Sequence, residues 1–310
     1  MDISIIVRTY NEEKHIKKLL YGIQNQNIQK KYEIIIVDSG STDRTIQFAL
    51  EFDVKIINIK KEEFSFGKAI NLGCKEAKGE LLVFASAHVY PVYNDWISNL
   101  INPFSDKKIA YTYGRQIGNE HTKFSENMIF KKWFPTESLL LQSSPFCNNA
   151  NSCLRKAIWE KYNFDEKITG LEDINLASIL IKNGLFLSYV AEAVIVHVHD
   201  ESYNNIYNRY KREAIAMKKI FPNTRFTFFT FLYLFVSNVY YDTRNLIQNK
   251  YSYSLFKSII KFRFMQFYAT YVGYRVEYIL SDETQKKMYY PEKKSLNLES
   301  ELNEKSIKYI

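Results

Sequence analysis

The sequence predicts an α/β protein, a mostly parallel sheet followed by a carboxyl-terminal extension that is helical, basic and aromatic. Three observations carry that reading. Strand and helix patterns alternate through the first hundred residues, which implies right-handed crossovers and parallel strands. Within them Ile34-Ile35-Ile36-Val37 is an unbroken β-branched run, too short for a helix and apolar throughout, as a strand buried on both faces requires. From Asn205 to Arg275 the chain carries 12 Lys or Arg against two acids, Glu213 and Asp242, an excess larger than the +8 of the whole 310-residue chain.

Ile3 to Val7 reads as the first strand, followed by the loop Arg8-Thr9-Tyr10-Asn11. Ile16, Leu19, Leu20 and Ile23 then mark one face of a helix capped by Asn11, with Glu12 and Glu13 in its first turn. The second strand stops at Asp38. Ser39, Gly40 and Ser41 make a tight turn, and the next helix starts on a Ser/Thr cap with Asp43 in its first turn. Val54 to Ile59 is the third strand, Gly67 to Ala77 the third helix, and Leu81 to Ala85 the fourth strand, entering the loop Ser86 to Pro91. A helix with Trp96, Ile97, Leu100 and Phe104 precedes a strand at Ile109 to Tyr113. Gly118 to Pro145 is irregular apart from a short aromatic helix around Met128 to Phe134. Asn148 to Ser152 reads as a polar turn, Gly170-Leu171-Glu172-Asp173 opens a helix, and two short strands, Leu185 to Val190 and Ala193 to Val198, lead to His197-Val198-His199. Residues 1–220 are taken as the α/β domain and 221–310 as the helical extension, with a loosely held polar tail beyond Ser281. The uncharged aromatic run Phe226 to Tyr241 has 16 residues, short of the roughly 20 that cross a bilayer.

With 46% apolar residues the chain can build a full core. Its amino terminus has no basic n-region or cleavage site, so a cytoplasmic protein is expected. Cys74, Cys147 and Cys153 lack CxxC spacing, which argues against a zinc site or a disulfide framework. There is no Walker motif and no GxGxxG. Asp38, at the carboxyl end of a central strand, either accepts a hydrogen bond from a nucleobase imide or ribose hydroxyl, or caps its turn. Glu172 and Asp173 are either acids of a helix first turn or a general acid/base pair.

Six stretches, SIIVRTYNEEKHI, IIIVDSGSTDRT, FSFGKAINLGCKEAKGELLVF, NNANSCLRKAIWE, GLEDINLA and VIVHVHD, resemble in order and spacing glycosyltransferase family 2, inverting enzymes with the GT-A fold. The resemblance covers about residues 3 to 215 and looks nearest to the rhamnosyltransferase-like branch. That branch's GHGKxxNxG, GRQ and HSH motifs read here Phe66-Gly67-Lys68-Ala69-Ile70-Asn71, Gly114-Arg115-Gln116 and His197-Val198-His199. The resemblance implies transfer of a hexose or deoxyhexose from a nucleotide-sugar donor to a hydroxyl of a glycan or lipid-linked saccharide, in surface polysaccharide synthesis. It implies that Thr9, Tyr10, Glu12 and Asp38 hold the donor's nucleoside, with Ser39 and Lys68 nearby, and that Asp173 is the base with Glu172 beside it. Trp96 is either a platform for the acceptor sugar or, at helical spacing with Ile97 and Leu100, a core residue.

The branch's acidic positions at the end of the fourth strand fall on Ser86 and His88, so this donor-side loop has no carboxylate. A divalent ion, Mn²⁺ or Mg²⁺, is expected by the resemblance, shared by His88 with His197 or His199; imidazole suits Mn²⁺ better than the harder Mg²⁺. One rival has no ion, and His88 itself stabilises the departing phosphate; a third reading makes His88 a turn residue. Other classes stay open. A nucleotidyltransferase would need a glycine-rich first loop, which Arg8-Thr9-Tyr10-Asn11 is not. A non-catalytic nucleotide-sugar binding module fits the missing acids but not the Glu172-Asp173 pair. Charge alone suggests a nucleic-acid binder, and no nucleic acid is expected as partner. The extension is expected to contact the inner leaflet of a membrane or a second subunit.

Overall fold

The computed structural model describes residues 1–276 and 306–309. Strands β1 (Ile3–Thr9), β2 (Tyr32–Asp38), β3 (Lys55–Asn58) and β4 (Leu81–Ser86) lie parallel in the order β3-β2-β1-β4. Alternate side chains enter different layers of core. Ile3, Ile5, Val7, Ile34 and Ile36 pack with α1 (Ile16–Gln24), α2 (Thr45–Ala49) and α4 (Trp96–Ile101); Ile6, Ile35 and Val37 pack with α3 (Phe66–Glu76) and α7 (Glu172–Lys182). Gly67 sits where α3 meets the loop before α7: a Cβ there would collide with the Asp165 carbonyl.

The rest of the sheet is mixed. β8 (Asn151–Arg155) runs antiparallel between β4 and β6 (Ile109–Ile117), and is followed by α6 (Lys156–Lys161). β9 (Phe186–His197) lies parallel to β6, with β5 (Val89–Pro91) and β7 (Leu139–Gln142) antiparallel to it. Between β6 and β7 stands α5 (Phe124–Trp133), which begins earlier than the aromatic pattern suggested.

The structure corrects other local expectations. The polar run read as a turn ends inside the sheet, because Asn151 can be buried fully bonded: its Oδ1 accepts from Trp96 Nε1 at 2.8 Å and its Nδ2 donates to the Ala193 and Arg115 carbonyls. The two short strands are one strand, β9; its pairing with β6 is irregular between Ile109 and Tyr111 and again between Gly114 and Gln116. Asn11 does not cap α1. It has φ +52°, and its side-chain oxygen takes the Thr42 N–H at 2.8 Å, tying the loop after β1 to the loop after β2. Asp43 lies just before α2, accepting from Thr45 N and Oγ1.

Helices α8 (Tyr203–Ile220), α9 (Phe228–Gln248) and α10 (Phe256–Gly273) form the extension, α10 packing along both others. The boundary drawn at residue 220 therefore divides helices that pack together. Arg263 of α10 grips Asp242 of α9 through two bonds of 2.7 and 2.8 Å and also donates to the Ser125 carbonyl of α5, fastening the hairpin to the α/β part. Among the described residues no helix is long and apolar enough to cross a membrane. Most of the tail expected beyond Ser281 lies outside the described residues. Residues 306–309 dock beside β5, where Ile307 N–H donates to the Val92 carbonyl and Tyr309 Oη to that of Pro91.

Candidate active site

The carboxyl ends of β1, β2 and β4 and the end of β9 meet, and most of the expected residues lie there. Thr9 ends β1, and its hydroxyl is buried without a hydrogen-bond partner among the described residues. Ser39 is fastened to it, N–H and Oγ both donating to the Thr9 carbonyl. Asp38 caps its own turn. Oδ2 accepts from Gly40 and Ser41 N–H and Oδ1 from the Ser41 hydroxyl, while Gly40 takes φ +87°, which a side chain would resist. Each carboxylate oxygen has two lone pairs, so Oδ1 retains one for a ligand. Tyr10 lies at the rim, its hydroxyl accepting from Lys61 Nζ.

Glu172 and Asp173 open α7 and are both buried, yet their surroundings differ. Leu171 before them is held at φ +58°, an unfavourable conformation for a branched side chain, so the pair is presented by a constrained turn. Arg8 of β1 donates to Glu172 Oε1 at 2.9 Å from 164 residues away. Asp173 instead receives two backbone N–H groups, those of Asn149 and Ile174. Burial, then the neighbouring Glu172 charge, raises its pKa to about 7.

A histidine cluster stands at the ends of β4 and β9. His88, in the turn after β4, has Nδ1 at 3.1 Å from Glu12 Oε1 and its ring stacked on that of His197. His197 Nδ1 meets Gln116 Oε1 at 2.7 Å, and His199 Nδ1 meets Glu126 Oε1 at 2.7 Å. Against the burial that would raise it, Arg209 and His199 hold the Glu126 pKa down to about 2, so Glu126 is ionised and can only accept. His199 Nδ1 therefore carries its proton, and its Nε2 faces His197 Nε2 at 3.0 Å. Two ring nitrogens at that separation are held by a shared proton or a shared cation. Ligating atoms of His88, His197 and His199 all lie within 4.8 Å of one another, and burial, then the other two histidines, keeps His197 neutral, as a ligand must be. Three imidazoles are a donor set that can hold a divalent ion.

Of the other expected residues, Trp96 stands apart. Trp96 is fully buried in the core, which removes it from any acceptor surface. Lys68 is in an ion pair with Glu63 at 2.9 Å. Ser86 ends β4 opposite Arg8. Sequence reasoning passed over Arg8, Glu126 and Arg209. Arg8 had a signal, a charge at the end of a buried strand like Asp38; Glu126 and Arg209, bonded at 2.7 Å, had none, lying 83 residues apart on helices.

Comparisons with known proteins agree with this geometry. The model of a family described as glycosyl transferase family 2 matches residues 4–162. The O-antigen chain rhamnosyltransferase RfbN of Salmonella typhimurium is 29% identical over 223 residues, 68% of this chain and 70% of that protein. A mannosyltransferase of Pyrobaculum calidifontis, solved with GDP-Man and Mn²⁺, superposes with a TM-score of 0.59 at 17% identity, over 87% of this chain and 86% of that one. Residues 1–349 of S. aureus TarS, solved with UDP-GlcNAc, give 0.55 at 18%, over 70% and 67%. These structures share the GT-A fold of this chain. The chain belongs to glycosyl transferase family 2 and is a nucleotide-sugar glycosyltransferase.

Proposed function

We propose that this enzyme moves a hexose or deoxyhexose, with inversion, from a nucleoside diphosphate sugar to a hydroxyl of a glycan or lipid-linked saccharide, on the cytoplasmic side, in surface polysaccharide synthesis. The observation that carries it is the division of roles between two adjacent buried acids. Arg8 takes Glu172, and Asp173 stands without an ion-pair partner among the described residues, its pKa near the working range of a general base. Asp173 takes the acceptor hydroxyl proton as that oxygen bonds to the anomeric carbon. The bond from that carbon to the diphosphate breaks, and the nucleoside diphosphate leaves; one displacement inverts the centre.

Thr9, Tyr10, Glu12, Asp38 and Ser39 form the nucleoside end of the donor site, with Thr9 Oγ1 left to bond it. Ser86 and Lys68 flank the donor. His88, His197 and His199 would hold a divalent ion, which when bound supplies positive charge for the departing diphosphate. The Mn²⁺ and GDP-Man of the archaeal mannosyltransferase support this part of the reading.

The test has three arms. Among nucleotide sugars, one is expected to stabilise the purified protein by about 2.7 kcal/mol at a hundredfold excess over its dissociation constant. Anomeric NMR of the product should show inversion; retention would remove the single-displacement reading. The rate kcat/KM should rise with pH through about 7, since Asp173 works only when deprotonated and its pKa is raised to about that value. A flat profile from pH 5 to 8 would move the base elsewhere.

A further inference from the structure

The helical extension leaves one face of α9 apolar and exposed. Phe229, Leu232, Tyr233, Val236, Tyr240 and Ile247 lie within one stripe at 100° per residue, and Tyr233 and Phe229 are 72% and 80% exposed. α10 adds exposed apolar residues beside it: Phe264 packs against Phe231 and Phe235 of α9 while remaining 39% exposed, and Phe256 and Ile260 share its row. An exposed aromatic face of this kind marks an interaction surface.

Charge decides what covers it. The only acid between residues 222 and 275 is Asp242, and it is fully buried against Arg263. Arg225, Arg244, Lys250, Lys257, Lys261 and Arg275 are all exposed, Arg244 one turn beyond Tyr240 on the same stripe. A second copy meeting this face about a two-fold axis would set positive charge against positive charge. An anionic bilayer surface complements both features: basic side chains meet lipid headgroups, and Tyr and Phe enter the headgroup boundary. The run is too polar and short to span, which leaves it lying in the interface.

We infer that the α9–α10 face rests on an anionic lipid surface. Arg263 bonds to α5, and Arg209 of α8 bonds to Glu126 behind the histidine cluster, so the surface that docks is rigidly joined to the active site. Docking then sets the site at a fixed height above the bilayer, where a saccharide carried on lipid would be presented. The docking stands apart from the transferase reading, because its test contains no sugar nucleotide.

The full chain would be sedimented with vesicles of phosphatidylcholine alone and with vesicles in which phosphatidylglycerol replaces a third of the lipid. Binding is expected to be at least tenfold tighter to the anionic vesicles and to weaken as salt is raised. Val236→Asp, at a site 61% exposed, should abolish it with an unchanged melting temperature, and Lys257→Glu with Lys261→Glu should weaken it at least tenfold. Should Val236→Asp fold poorly, Tyr233→Ser gives the same reading. Equal binding to both vesicles, binding to neither, or a dimer that Val236→Asp dissociates would overturn the proposal.

Discussion

Asp173→Asn is expected to lower turnover by about two to four decades while donor-induced thermal stabilisation survives. The substitution keeps the shape at the start of α7 and can still accept the Asn149 N–H, but it cannot take a proton. A neutral side chain also removes a cost. The folded pKa of Asp173 is raised above its unfolded value of about 3.9, so the unfolded chain binds fewer protons between about pH 4 and 7 and native stability falls as pH rises through that window. The variant should therefore melt at a higher temperature than the native enzyme above about pH 7 and lose that advantage near pH 4. Near-normal turnover would shift the base to Glu172 or elsewhere. Glu172→Gln is expected to behave differently, leaving Arg8 without its partner and lowering the melting temperature.

Removal of divalent ions by a chelator is expected to lower activity by roughly two decades or more, with Mn²⁺ restoring it better than Mg²⁺. His197→Ala should do the same and should abolish Mn²⁺ binding measured by calorimetry, a readout that needs no turnover. Glu126→Gln keeps the hydrogen-bonding shape but loses the charge that orients His199, and should weaken Mn²⁺ by about 10- to 100-fold. Full activity in chelator would remove the ion from the reaction, and wild-type activity in His88→Ala would remove that residue.

The amino-terminal half was legible because its signals are local. A strand buried on both faces is apolar along most of its length, and a helix packed on it must show a stripe, so β1, β2 and β4 and the helices α1 and α3 could be read within short windows. Asp38 was legible for the same reason, as a charge where an apolar run stops. β8 was not: its start lies in Asn148 to Ser152, which looks like a turn until Trp96, Arg115 and Ala193 satisfy the buried Asn151 amide. Trp96 itself shows the limit. Its helical spacing was visible, but which way the stripe faced was not.

What the chain order determined alone is the αβ alternation, the acids at the start of α7, the histidines after β4 and β9, and the basic aromatic character of the last helices. Tertiary structure decided their chemistry, because that depends on partners far apart in sequence. Arg8 crosses 164 residues to claim Glu172 and so leaves Asp173 without an ion-pair partner among the described residues. Glu126 crosses 73 residues to orient His199 toward His197. Asp242 is removed from the surface by Arg263, so that among the described residues of α9 and α10 no acid is exposed beside the basic side chains. Burial and charge pairing set protonation and exposure, and neither is a property of a residue's neighbours along the chain.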